Sequence, residues 1–194
     1  MPSVSIFKGF LLKWGFPIIL LLLIAKIIQI YNNLIQLKNQ VQNAWSQIDV
    51  QLKRRHDLIP NLVESVKGYA EHEKSTFERV IQARQQAVDL KNASAEAVSK
   101  AENQLSGALK SIFALSENYP ELKADENFMA LQEELSTTEN RIGFARQFYN
   151  DSVMQLNQAI QMFPNNIIAG FFNFKEFTYF EVDAAEKEPV KVTF

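Results

Sequence analysis

Two polar stretches hold most of the side chains able to do chemistry in this 194-residue chain. The first, Asn43 to Leu62, contains Asp49, Lys53-Arg54-Arg55, His56 and Asp57; the second, Thr138 to Asp151, contains Glu139, Asn140, Arg141, Arg146, Tyr149 and Asp151. Carboxylates beside histidine and arginine are the materials of acid–base and metal catalysis, so spacing decides whether they converge. A di-metal bundle site needs Glu-x-x-His on each of two helices, with further inward glutamates. Three residues before His56 stands Lys53, and three before His72 stands Tyr69. Glu71-His72-Glu73 cannot close on one ion within a helix, because neighbours point about 100° apart. No glycine-rich phosphate loop and no Gly-x-Ser-x-Gly elbow occurs. The pattern therefore assigns no catalytic residue, no cofactor and no metal.

The same residues suit ion pairing. Lys53 and Asp57 stand i,i+4, the interval that brings side chains together on a helix. Where the second stretch is partly buried its charges must satisfy one another, and Arg141 or Arg146 with Asp49 or Asp57 across helices is the expected pairing. Two readings follow: a structural network fixing helix register, or a recognition site for a peptide or partner.

The elements that position these groups are helices. Ile30, Leu34, Leu37, Val41, Ala44, Ile48 and Leu52 step by three or four along one helical face. Pro60 is expected to break or kink that helix, with Asp57 capping the segment that restarts. A second stretch, Ser75 to Ser116, is weakly patterned around Lys91–Glu96, where a loop can open, and Glu117-Asn118-Tyr119-Pro120 closes it. The third has the clearest period, from Phe128 through Leu135, Ile142, Tyr149 and Leu156 to Phe163, and Pro164 ends it. Beyond it Phe171, Phe172, Phe174, Phe177, Tyr179 and Phe180 are crowded together, too apolar for water, and should plug one end of the bundle or touch lipid.

Phe16 to Ala25 reads FPIILLLLIA. The block from Phe10 to Ile30 is about twenty residues, the length of a helix crossing a bilayer. Lys13 and Lys26 lie near its ends, where they can snorkel, and Trp14 and Tyr31 flank it. A buried core helix is the competing reading. A cleaved signal peptide is another, but Lys26-Ile27-Ile28-Gln29 lacks the small residues of a cleavage site. With no breaker between Ile30 and Pro60, anchor and first body helix should be one rod, so a Gly-Ser insertion after Tyr31 should impair function yet leave the bundle folded.

Cysteine is absent, which removes disulfides, thiolate ligands and cysteine nucleophiles. A net charge of −2 argues against a nucleic-acid surface. Six glycines and six prolines in the whole chain favour long helices over turns. The expected fold is all-α: a transmembrane helix continuous with an antiparallel bundle of three to four long helices, the aromatic tail packed on one end. Its parts are an N-terminal segment (1–9), the anchor (10–30), the bundle (31–164) and the tail (165–194).

Long blocks of this sequence resemble the LemA family of bacterial membrane proteins. They are NAWSQIDVQLKRRHDLIPNLVESVKGYAEHE (Asn43 to Glu73), LQEELSTTENRIGFARQFYNDSV (Leu131 to Val153), FPNNIIAGFFNF (Phe163 to Phe174) and the Tyr179-Phe180-Glu181 tail. His56, Gly143 and Asn173 depart from the tyrosine, alanine and glycine usual there. The resemblance implies an N-terminally anchored helical bundle in the bacterial cytoplasmic membrane, and no reaction or cofactor.

The expected function is non-enzymatic: a membrane-anchored bundle presenting a helical surface to an unidentified protein partner. One alternative is a small-ligand binder or enzyme built on Asp49, Asp57, Glu139, Arg141 and Arg146, which requires those side chains to converge in a pocket. Another is a self-associating, homo-oligomeric membrane scaffold. Orientation is nearly a tie by the positive-inside rule, with Lys8 and Lys13 set against Lys26 and Lys38, and tilts toward an outward body.

Overall fold

The computed structural model describes residues 15–69 and 73–181. The N-terminal segment 1–9, anchor residues Phe10 to Trp14, Glu71-His72 and the tail beyond Glu181 lie outside the described residues. The regular elements of the described residues are all helices: α1 (Phe16–Lys67), α2 (Lys74–Asp89), α3 (Ala95–Ser116), α4 (Pro120–Lys123), α5 (Glu126–Gln161) and α6 (Asn165–Phe171). It divides into two compact units. Residues 15–41 with 152–177 form the first, and 42–151 with 178–181 the second. Helices α1 and α5 contribute residues to both.

In the first unit, α1 begins as an apolar column with its side chains outside. Phe16, Ile18 to Ile24, Ile27 and Ile28 are all exposed. It is one helix long and apolar enough to cross a membrane. From Ile30 the helix turns a single face inward, and Ile30, Leu34 and Val41 are buried with Val153, Leu156 and Ala159 of α5 and Ala169 of α6. Asn157 holds the extended chain after α6 by two bonds, donating to the Phe177 carbonyl and accepting from its amide, each 2.9 Å. Helix α6 ends where Asn173 adopts φ 54°. There the Phe174 amide reaches the Ala169 carbonyl (2.9 Å) and the Asn173 amide the Gly170 carbonyl (3.2 Å). This is a Schellman cap, whose left-handed residue is glycine or asparagine, so the unusual Asn173 suits its place.

In the second unit the core is Ile59, Leu62, Val63 and Val66 of α1, Phe77 and Val80 of α2, Leu105, Leu109 and Ile112 of α3, Leu122 of α4, and Phe128 and Leu135 of α5. The second predicted stretch is two helices. The loop Leu90–Ser94 separates them, and the Ser94 hydroxyl caps α3 by accepting from the Ala97 amide (3.3 Å). Asp125 starts α5, accepting from the Phe128 amide (2.8 Å).

Of the break or kink expected at Pro60, the break does not occur; the helix continues to Lys67. Proline withholds the amide that would bond the carbonyl four residues back, which is that of His56. Arg84 of α2 supplies the missing donor, its Nε lying 2.7 Å from the His56 carbonyl oxygen. Asp57, expected to cap a new segment, instead accepts from Lys53 at 2.9 Å.

Candidate functional site

The strongest polar assembly is built on Arg55, which α1 carries fully buried into the second unit. Its phase explains this: Ile48, Leu52, Ile59 and Leu62 are the buried stripe, and residues 55 and 56 are the step between. Arg55 Nη2 donates to Glu102 Oε2 and, at 3.4 Å, to the Glu102 carbonyl. Nη1 donates to Glu139 Oε2 (2.5 Å) and Ser106 Oγ (2.8 Å). Ser106 in turn donates to Glu139 Oε1 (2.6 Å), and His56 Nε2 lies 2.9 Å from Glu102 Oε1. One guanidinium thus joins α1, α3 and α5.

Burial alone would raise the pKa of the Glu102 carboxyl. The hydrogen bond from His56 and the charge of Arg55 outweigh it, and the pKa falls below the ordinary glutamate value. Glu102 therefore stays an acceptor, and His56 is the donor between them. Every carboxylate oxygen in the cluster has a partner in the protein. Such an arrangement ties three helices to one register.

The other predicted residues go to separate places. Lys53 and Asp57 pair on the surface, and the Lys53 hydrogen bond lowers the Asp57 pKa. Arg54 spans to α5, with Nη2 at 2.7 Å and Nε at 3.2 Å from Glu134 Oε1. Asp49 and Asp57 line a recess of about 220 Å³ whose wall includes Trp45, His56, Arg84 and Glu102. Arg141 lines a groove with Val50, Gln51, Phe144 and Phe148. Asn140 and Asp151 are exposed. The Arg146 guanidinium lies 4.7 Å from the centre of the Phe180 ring. A cross-helix pairing of arginine with carboxylate is made by Arg55, which sits at the stripe's phase. Glu139 belongs to the Arg55 cluster.

Tyr149 belongs to a third arrangement. Its hydroxyl donates to the Thr178 carbonyl (2.9 Å), and burial raises its pKa. Asn150 donates to the Phe180 carbonyl (3.0 Å) and accepts from the Phe180 amide (2.8 Å), while Ser99 donates to the Glu181 carbonyl. Phe180 is buried beside Trp45, ring centres 6.1 Å apart, so helix side chains bind the extended strap 178–181 through its main chain. Of these predicted aromatics Phe180 alone plugs the second unit; Phe171, Phe172 and Tyr179 remain exposed.

Sequence reasoning missed Glu102, Ser106, Arg84 and Asn150. Glu102 carried a readable signal: Val98, Ala101, Leu105 and Leu109 are the buried phase of α3, and Glu102 stands within it. Among the described residues no cluster of three or more histidine, aspartate or glutamate side chains is placed to hold a metal ion.

An all-α bundle, a helix fit to span a membrane and a buried ion cluster joining three helices define the class: a helical-bundle protein with an apolar N-terminal helix. The chain belongs to the LemA family, whose profile matches residues 44–194. It is 27% identical over 161 residues to the protein LemA of Metamycoplasma hominis, covering 82% of this chain and 72% of the relative. It is 24% identical over 191 residues to the magnetosome protein MamQ 2 of Paramagnetospirillum magneticum, and 23% to the magnetosome protein MamQ of Magnetospirillum gryphiswaldense. Each of these matches covers 86% of this chain and 70% of the relative. None of these descriptions names an enzymatic activity.

Proposed function

We propose that this is a non-enzymatic, single-pass protein of the bacterial cytoplasmic membrane, anchored by α1, whose bundle presents an interaction surface to a protein partner. The observation that carries the reading is the groove in the second unit. Val50, Phe144, Ala145 and Phe148 form its apolar bed, with Ser46, Gln47, Gln51 and Arg141 around it. Phe144 is 73% exposed and Val50 61%. Exposed aromatics with a polar rim and an arginine have the composition of a protein interface. The Gln51 side-chain oxygen is buried there without a donor among the described residues. The magnetosome name of two relatives fits a membrane address.

A photo-crosslinking residue at Phe144 in the full-length protein, activated in living cells, tests this. The expected result is a discrete adduct with one other protein, lost on Arg141→Glu and absent when the probe stands at exposed Lys110. No adduct at Phe144, Phe148 or Val50 overturns the reading. Adducts only between copies of this chain overturn the partner and favour the self-associating scaffold.

A further inference from the structure

Helix α6 is built inside out for water. It buries Ala169, one of its smallest side chains, and leaves Ile167 and Phe171 60% and 82% exposed. Phe163, in the turn just before it, is 79% exposed, and Met162 is exposed as well. Within the helix, residues 167 and 171 are spaced by four, the interval that aligns side chains along one side. A folded domain hides bulky apolar groups before small ones, so a face ordered the other way is matched to a surrounding that is not water.

The position of α6 says which. At its start, Asn165 lines an open recess with Ala25, Lys26, Ile28, Gln29 and Asn32 of α1. At its end, the Phe172 ring lies 4.7 Å from that of Tyr31, and Phe174 lies 5.9 Å from it. Both ends of α6 therefore lie beside residues 25–36 of α1. This is the stretch where α1 changes character: Ile27 and Ile28 are exposed, whereas Ile30 and Leu34 are buried. Lys26 donates to Gln29 here (3.1 Å), a polar level at the foot of the apolar column. If the column lies in hydrocarbon, this level is the headgroup boundary.

We propose that α6 is a second membrane contact, lying in the plane of the headgroup–acyl boundary with Phe163, Ile167 and Phe171 toward lipid. Continuity with the exposed apolar column of α1, in the same unit, argues for lipid as the occupant. The proposal rests on reading α1 as a membrane span. A lone span is free to rotate about its axis; a second contact beside its exit fixes rotation and tilt, as interfacial aromatic anchors do.

The absence of cysteine lets single probes be placed without background. Cysteines at Leu22, Ile167 and Gln104, each in the full-length chain with helicity equal to the parent, are labelled with a nitrobenzoxadiazole dye. The chains are reconstituted into phosphatidylcholine–phosphatidylglycerol vesicles carrying spin-labelled lipids. The expected result is quenching of the Leu22 probe by a deep spin label, quenching of the Ile167 probe by a shallow one, and none at Gln104. Quenching at Leu22 without quenching at Ile167 overturns the second contact and leaves the span standing. No quenching at either site overturns the span, and this inference with it. An Ile167 probe shielded from lipid by a second copy or another protein also overturns it.

Discussion

Arg55 brings a full charge into a place without solvent, and Glu102, Glu139 and Ser106 make it tolerable by taking both ends of its guanidinium. Arg55→Leu should cost about 3–5 kcal/mol, because it leaves a buried carboxylate without its cation; urea denaturation of the full chain in detergent, followed by circular dichroism, measures it. The pH dependence has a definite sign. The Glu102 pKa is lowered in the fold, so its contribution is fully present above the ordinary glutamate value of about 4.3 and is lost as pH falls through the lower folded value. Glu102→Gln should flatten that part of the acid unfolding curve. Pro60 and Arg84 form a second couple. Arg84→Leu should cost about 1–3 kcal/mol by orphaning the His56 carbonyl, and much less in a Pro60→Ala chain, whose restored amide takes its place; a double-mutant cycle separates the two. These residues also show the limit of reading from sequence. The run Lys53-Arg54-Arg55 does not say which member is buried, but the phase of Leu52 and Ile59 does. The rescue of Pro60 was not legible, since Arg84 lies 28 positions away on another helix.

Among the elements, α1 and α5 were readable because their apolar period runs for many turns, and the weak pattern after Lys91 marked a real loop. The helices α4 and α6 were not, because four and seven residues give too few turns to show a period. Ser94→Ala should destabilise α3 by about 1 kcal/mol, visible as faster hydrogen exchange in its first turn. The strap 178–181 depends on side chains from helices rather than on pairing with a strand, which no alternation in its own sequence announces. Asn150→Ala removes both bonds to Phe180 and should open the strap to protease about tenfold faster, equivalent to roughly 1.4 kcal/mol. Phe180→Ala should cost about 3–5 kcal/mol, since its ring is fully buried.

For the molecule as a whole, the unbroken α1 revises one expectation. Two residues inserted after Tyr31 turn the preceding helix by about 200°. That carries Ile30 off the buried face and Tyr31 away from Phe172 and Phe174. The insertion should therefore loosen the first unit itself, read as faster hydrogen exchange in α6, rather than leave the fold intact. The contacts of α1 also set the order in which the protein can pack as it is made. Arg54 and Arg55 wait for Glu134 and Glu139, 80 and 84 positions later, and Gln40 waits for Ser152, 112 positions later. Trp45 waits longer still, for Phe180. A ribosome that has delivered α1 through α4 has made its buried stripe without the helix that covers much of it. Contacts so distant close slowly and leave apolar surface open to misassembly. Nascent chains halted before α5 emerges should therefore be held by chaperones, and those halted after the strap has emerged should be released.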